Sequence, residues 1–200
     1  MLLLIPVFSF LLKPMLATWG ATAKEISMPM AGDKKNLVIA STRAILIDAP
    51  KSEVWKWLTQ LGADRCGFYS YTFIEEAMGY KTRYQCTHYK SKFNGLRAGN
   101  IIRGSINKKS SIIPYNFKVL YVKSGDTLVL QNWGTLLLEK VSKQRTRLII
   151  RTQHPKDSSL WARAAEFFIF PSHYIMERRM LIGIKMRAEH NNNAYLTATE

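Results

Sequence analysis

The chain has 200 residues, 47% of them hydrophobic and 12% aromatic, which excludes a disordered protein and suffices for one globular domain. The formal net charge is +15 at pH 7. An excess of this size fits nucleic acid, an anionic membrane surface, or a solvated basic surface without a dedicated partner. The basic residues are scattered, without the dense block of a nucleic-acid-binding arm, so we favour an anionic membrane surface over nucleic acid.

The first residues, MLLLIPVFSFLL, are strongly apolar, and we assign residues 1–16 to a membrane-associating or signal-like segment. Spanning a bilayer takes about 20 apolar residues, so this run is too short to cross one alone. It could be an interfacial anchor, a signal peptide cleaved after Ala21-Thr22-Ala23, or an arm that packs on the domain. We expect a membrane-associated protein, with a cytoplasmic one as the alternative.

A polar stretch rich in turn-forming residues, 17–36, predicts a linker before the folded domain, which we place at 37–190. Alternating apolar residues predict a strand over Leu37–Asp48. Helical spacing then predicts two short helices, Ser52–Leu61 and Thr72–Met78, each followed by a glycine. The next residues, Tyr80–Leu96, are polar and basic and predict a loop.

Short apolar segments then recur about every ten residues, which predicts an antiparallel meander. The predicted strands are Asn100–Ser105, Tyr115–Val122, Thr127–Gln131, Thr135–Val141 and Arg145–Gln153. In the second of these, alternation places Tyr115, Phe117, Val119 and Tyr121 on one face.

The last part of the domain predicts a short helix, Ser158–Ile169, and a long amphipathic helix, Ser172–Glu189, separated by Pro171. Residues 191–200 predict a disordered tail. The order of elements predicts an α+β, helix-grip architecture. A curved antiparallel sheet wraps a long C-terminal helix, and two short helices follow the first strand.

Three stretches carry a resemblance to a known family. They are Trp19–Thr22 with Glu25, the run from Arg43 to Glu75 that contains IDAP and GFYSY, and Met176–Lys185. In these stretches the chain resembles the SRPBCC superfamily, the START-like helix-grip proteins that include polyketide cyclases and lipid-transfer domains. Within it, the chain is most similar to a group of mostly uncharacterised bacterial members. The resemblance implies a cavity between sheet and helix, and a Trp19 stretch that belongs to the mature domain.

The long helix supplies the first candidate ligand-binding residues. His173 and Glu177 lie four residues apart, so Glu177 could orient the imidazole and make it a base, or the two could be an ordinary hydrogen-bonded pair. Met176 and Met180 recur on the apolar side and could present adaptable surface to a hydrophobic ligand.

Further candidates precede this helix. Tyr69, Tyr71 and Glu75 could anchor a polar group of the ligand near the cavity mouth, or the tyrosines could simply pack in the core. Arg151 could bind a ligand carboxylate or enolate if its strand face looks inward. We favour an outward, solvated position, because unpaired buried arginine is rare.

The sequence lacks the common motifs for metals, nucleotides and nucleophilic catalysis. It contains no HExxH, GxSxG, Walker or dinucleotide-binding pattern, so we expect no metal and no cofactor. Cys66 and Cys86 do not form a CxxC motif. Two free, structural thiols are the default expectation, and one disulfide is the alternative in an exported protein.

Three functions fit these observations. The first is binding or carriage of a small hydrophobic molecule or lipid in the cavity, near a membrane. The second, implied by the resemblance, is a polyketide cyclase/dehydrase-type enzyme that folds a hydrophobic keto substrate by confinement. The third is a basic interaction module whose cavity has collapsed.

Overall fold

A computed structural model describes residues 13–77, 81–82, 85–107, 115–156 and 160–197, with the backbone alone given at 160–170 and 191–197. The apolar residues 1–12 lie outside the described residues, and with them most of the predicted N-terminal segment. Within the described part of the chain, no helix combines the length and the apolar character needed to cross a membrane.

Six antiparallel strands form one curved sheet. The strands are β1 (Leu37–Ile47), β2 (Ile101–Arg103), β3 (Asn116–Lys123), β4 (Thr127–Leu130), β5 (Gly134–Ser142) and β6 (Arg145–Pro155). Their order across the sheet is β1-β6-β5-β4-β3-β2, so the first strand closes onto the last and the others follow as a meander. The predicted strands and their antiparallel pairing are confirmed.

One face of the sheet is apolar and covers the core. In β3, buried and exposed side chains alternate along the strand until the register shifts. Phe117 and Val119 of β3 are buried on this face, as predicted. The register of β3 against β4 shifts between Val119 and Tyr121, so Tyr121 pairs with Val129 and is exposed. Because an extra residue in a strand reverses the face of everything after it, Tyr121 does not share the face of Phe117 and Val119, and that part of the prediction is wrong.

Two short helices follow β1, which confirms the prediction. They are α3 (Lys51–Leu58) and α4 (Thr72–Ala77). In α3, Val54, Trp57 and Leu58 recur at helical spacing and are fully buried in the main core. Because these side chains pack in the core, α3 holds the beginning of the segment that runs from α3 to α4 against the rest of the domain.

The C-terminal helix, α5 (Leu160–Thr197), is continuous. The predicted break at Pro171 is therefore wrong, and the helical backbone runs on past residue 191, where we predicted the tail to begin. A proline inside a helix costs about 3 kcal/mol. This cost is local, whereas packing holds the helix over several turns. Met180, Leu181, Ile184 and Ala188 form the stripe that packs on the apolar face of the sheet.

The segment predicted as a linker instead forms a strap, residues 18–36, on the opposite face of the sheet. It follows α1 (Lys13–Ala17) and contains α2 (Ala23–Ser27). The backbone N–H of Ala44 in β1 donates to the carbonyl of Trp19 at 3.1 Å. Met30 is buried against Ala44 and Ile149, which form a second small core. Residues 18–36 are thus packed as part of the domain.

Cys66 and Cys86 form a disulfide, so the expectation of free thiols is wrong. The bond joins the segment between α3 and α4 to the stretch predicted as a loop, whose described residues contain one 3₁₀ turn at Ser91–Phe93. Arg187 of α5 donates from Nε to the Cys86 carbonyl at 2.9 Å. The disulfide therefore ties this loop to the segment before α4, and the Arg187 hydrogen bond ties it to the C-terminal helix.

Candidate functional site

A cavity of about 120 Å³ lies between the sheet and α5. Most of its surface is apolar. Its lining residues are Phe68, Ser70, Glu75, Gly104, Phe117, Asn132, Trp133, His173, Met176, Glu177 and Met180. Pockets for drug-sized ligands measure about 300–1,000 Å³, whereas an engineered cavity of about 150 Å³ in another protein holds benzene. The space therefore suits a group about the size of one aromatic ring.

Three aromatic side chains form the apolar wall of the cavity. Phe117 comes from β3, Trp133 from the turn between β4 and β5, and Phe68 from the segment before α4. The ring centroid of Trp133 lies 5.1 Å from that of Phe117 and 5.9 Å from that of Phe68. The indole Nε1 of Trp133 is buried and donates to no described residue. The wall thus contains one unused hydrogen-bond donor.

Glu75 of α4 is the most unusual polar residue of the cavity. It is only 2% exposed, and neither carboxyl oxygen accepts a hydrogen bond from any residue that the structure describes. Burial, with a smaller contribution from the charge of Glu76, raises its pKa to about 7. Near neutral pH this carboxyl is consequently divided between its protonated and ionised forms.

Glu177 has a very different environment, because it forms an ion pair with Arg43 of β1. Arg43 is fully buried, its Nε donates to the carbonyl of Leu16 at 2.9 Å, and its guanidinium lies 5.2 Å from the centre of the Tyr174 ring. Burial lowers the pKa of Arg43 to about 10, so it stays cationic at pH 7. The charge of Glu177 is therefore compensated, unlike that of Glu75.

His173 lines the cavity but does not form the predicted hydrogen bond with Glu177. Its Nδ1 lies 3.9 Å from Glu177 Oε2, which is beyond hydrogen-bond distance. Burial, and then the positive charge of Arg43, lowers the pKa of His173 below its usual value of 6.5. The ring is neutral at pH 7. Because Glu177 is engaged with Arg43, it does not set the tautomer of this histidine.

The structure brings together five of the eight predicted site residues: Glu75, His173, Met176, Glu177 and Met180. Tyr69, predicted to bind the ligand, does not line the cavity, because its ring is buried in the main core. Its hydroxyl donates to the Trp57 carbonyl at 3.1 Å, and the two rings meet edge to face at 5.9 Å. Burial raises the pKa of this phenol. Tyr69 is thus a packing residue.

Tyr71, also predicted to bind the ligand, lies outside the cavity on the protein surface. Its ring is 38% exposed, 5.7 Å from the ring of Phe73 and 5.5 Å from the guanidinium of Arg179. The backbone of Tyr69 is left-handed, with φ of 57°, so the GFYSY segment turns at this residue instead of continuing as a strand. Phe68 and Ser70 contact the cavity, whereas Tyr71 turns toward solvent.

Arg151, the third predicted ligand-binding residue outside the cavity, lies on the opposite face of the sheet. It is buried under the strap, so the expectation of a solvated side chain is also wrong. Its donors reach Thr42 Oγ1 (3.1 Å), Met28 O (2.7 Å), Asp33 Oδ2 (2.7 Å), Glu25 O (2.8 Å) and Ile26 O (2.9 Å). These partners offset the cost of burial, and they make Arg151 the anchor of the strap.

Several lining residues were not predicted as site residues. These are Phe68, Ser70, Gly104, Phe117, Asn132 and Trp133. Strand alternation placed Phe117 on one face with Val119, but it did not say that this face lines the cavity. Trp133 follows Asn132, whose backbone is left-handed with φ of 62°. Because this turn redirects the chain, sequence periodicity alone gives no signal for Trp133.

The described ranges contain no group of three or more side chains that could hold a metal ion. The lining instead offers an apolar wall, one carboxyl without a partner in the described part of the chain, a neutral imidazole and an ion-paired glutamate. Chemically, this arrangement can bind an apolar group and exchange a proton at Glu75 or His173.

The sequence matches no family model and no curated protein. Among solved structures, the chain is similar to the Aha1 dimer from Colwellia psychrerythraea, with 16% identity and a TM-score of 0.36, over 74% of this chain and 94% of that one. It is also similar to the polyketide cyclase-like protein Cgl2372 from Corynebacterium glutamicum, with 13% identity and a TM-score of 0.35, over 79% of this chain and 91% of that one. At these identities and TM-scores, the two structures indicate neither a ligand nor a reaction for this chain. The helix-grip-like arrangement of this chain rests on its own elements, a curved antiparallel sheet that holds a long C-terminal helix.

Proposed function

We propose that the chain binds a small, mostly apolar molecule in the cavity between the sheet and α5. The observation that carries this proposal is the wall of Phe68, Phe117 and Trp133, faced by the side chains of Met176 and Met180. Aromatic rings supply rigid apolar surface, and methionine adapts to irregular shapes. A packed core would leave no such space, so the cavity argues against a collapsed interaction module.

The size of the cavity limits what enters it. A volume of about 120 Å³ accepts one ring or a short alkyl group. A lipid or another long molecule would have to leave most of its length outside, or shift the methionines of α5. Carriage of a whole lipid therefore requires the cavity to open, and we expect it only with that motion.

Filling the cavity tests the proposal. We expect toluene and benzyl alcohol to shift the methyl NMR signals of Met176 and Met180. In Met176→Trp the Met180 signal should no longer shift, because the indole occupies the space, whereas in Met186→Trp, on the exposed side of the same helix, both signals should shift as in wild type. If the wild-type protein binds neither probe, or Met176→Trp binds both normally, the proposal is wrong. If the proposal is right, native mass spectrometry of protein from its own host should also show a co-purifying small molecule.

The second candidate is an enzyme of the cyclase/dehydrase type, and the protonation of Glu75 favours it. A carboxyl with a pKa of about 7 in an apolar cavity suits general acid–base catalysis at neutral pH. Tyr71 and Arg151 lie outside the cavity, so Glu75 and His173 are the remaining candidates for this role. Turnover of a hydrophobic β-keto ester should be lost in Glu75→Gln and kept in Glu76→Gln. Equal rates in the two variants would exclude Glu75 as the acid–base group.

We also propose an anionic membrane surface as the partner of the protein. Phe73 is 69% exposed, and the exposed ring of Tyr71 contacts both Phe73 and Arg179. Ile175 is also exposed and lies one helical turn before Arg179. Exposed apolar side chains next to arginine suit an anionic lipid interface, and the net charge of +15 adds attraction. We call these four residues the surface patch.

A further inference from the structure

We propose that the ligand carries a protonated amine and that Glu75 is its counter-ion. This inference rests on the proposed function and specifies the chemistry of the bound molecule. It starts from the difference between two buried glutamates that line one cavity. Glu177 is paired with Arg43, whereas the carboxyl of Glu75 accepts no hydrogen bond and meets no cation among the described residues.

The other charged and titratable groups around the cavity do not compensate Glu75. Glu76, on the same helix, is exposed and carries the same charge. Across the cavity on α5, His173 is neutral at pH 7. Arg43 of β1 is already engaged with Glu177. With Glu75 ionised, the described lining therefore holds one uncompensated negative charge, which is unfavourable in an apolar cavity unless a cation enters.

The aromatic wall favours the same class of ligand. The faces of aromatic rings carry negative electrostatic potential and attract a cation within about 6 Å, most strongly when water is excluded. Phe68, Phe117 and Trp133 meet at angles of 48° to 81°, so they form a corner that presents more than one face. An ammonium beside Glu75 would thus gain both a charge-assisted hydrogen bond and contact with the rings.

A hydroxyl group is the main competitor, because it could accept from Trp133 Nε1 and donate to Glu75. A hydroxyl brings no positive charge, however, so it would leave the charge of Glu75 uncompensated, whereas an ammonium would add a Coulombic attraction to the hydrogen bond. The two ligand classes therefore separate by relative affinity. Matched probes that share one ring, benzylamine, benzyl alcohol and toluene, fit the volume of the cavity.

The test is titration calorimetry of the full chain at pH 8, with these three probes and with wild type, Glu75→Gln and Glu76→Gln. The net charge of +15 opposes the approach of a cation, so the buffer contains about 0.15 M salt, which screens charges beyond about 8 Å. We expect benzylamine to bind wild type and Glu76→Gln at least about tenfold more tightly than benzyl alcohol. In Glu75→Gln this preference should disappear, while the affinity for benzyl alcohol stays within about threefold, because one hydrogen bond replaces another.

The outcomes distinguish this inference from the proposed function. If toluene and benzyl alcohol bind and benzylamine binds no more tightly, the amine inference is wrong and the proposed function stands. If benzylamine binds more tightly but Glu75→Gln keeps the preference, Glu75 is not the counter-ion and the inference is also wrong. If no probe binds wild type, both proposals fail. Should Glu75→Gln not fold, the ratio of benzylamine to benzyl alcohol affinity in wild type decides the ligand class.

Discussion

The stability of the protein should depend on pH through Glu75, and the change Glu75→Gln tests this. The folded state holds the proton of this carboxyl more tightly than the unfolded state, because the carboxyl is buried without a partner among the described residues. The pKa rises from 4.5 to about 7 on folding. At about 1.4 kcal/mol for each tenfold change in proton affinity, this corresponds to a cost of about 3 kcal/mol once the group is ionised in both states.

The sign follows from proton binding. Between pH 4.5 and about 7 the folded state binds more protons than the unfolded state, so the free energy of unfolding falls as pH rises through this window. Below pH 4.5 the penalty is absent, and above about 7 it is complete. Glutamine cannot ionise, so the Glu75→Gln variant should lack this part of the pH dependence.

Urea denaturation under non-reducing conditions at pH 4.5, 6 and 8 measures the effect. The stability of Glu75→Gln minus that of wild type should rise by about 3 kcal/mol from the lowest to the highest pH. A buried amide adds its own cost at every pH, so the change with pH is the informative quantity. Glu76→Gln removes the same charge from an exposed neighbour and should show much less of this rise. A difference between Glu75→Gln and wild type that is constant with pH would mean that Glu75 is solvated or paired in the folded protein.

Three further predictions concern the ion pair, the disulfide and the surface patch. Arg43→Met should lower the free energy of unfolding by about 3–5 kcal/mol, because Glu177 is left buried without its cation. The double change to Met at Arg43 and Glu177 should recover most of this loss in urea denaturation, and no recovery would contradict the pairing. Reduction of the bond between Cys66 and Cys86, which lie 20 residues apart, should cost about 3 kcal/mol through the added freedom of the unfolded chain. An unchanged denaturation midpoint in reductant would refute this. Phe73→Ser should weaken sedimentation with phosphatidylserine-containing vesicles several-fold while toluene binding stays intact, and a wild-type protein that ignores such vesicles would refute the membrane proposal.

Local patterns in the sequence were sufficient for most of the fold. The meander and the two short helices follow from periodicity and turn residues, and burial of the stripe containing Met180 and Ile184 follows from helical spacing. The same patterns were misleading where a single residue interrupted them. Pro171 is accommodated inside α5, and the register shift after Val119 moves Tyr121 to the other face.

Most of the predicted site residues that line the cavity come from the long helix, whereas Tyr69, Tyr71 and Arg151 lie outside the cavity. His173, Met176, Glu177 and Met180 lie on one element, so their common position follows from spacing along the chain. The aromatic wall joins three separate elements, and Trp133 leaves no periodic signal. For that reason the sequence identified one side of the cavity and missed most of the other.

By itself, the sequence determined the order of the elements and the face on which most side chains lie, because these depend on neighbours a few residues away. Only the tertiary structure decided which charges have partners. Arg151 is held by a strap that was predicted to be a linker, Glu177 is neutralised by Arg43 across the core, and Glu75 is left without a partner among the described residues. Each of these outcomes depends on atoms more than 100 residues apart in the chain or on elements brought together by folding. Whether a charged side chain is buried, and whether it meets an opposite charge, depends on the packing of the whole domain. A local sequence pattern therefore cannot predict it.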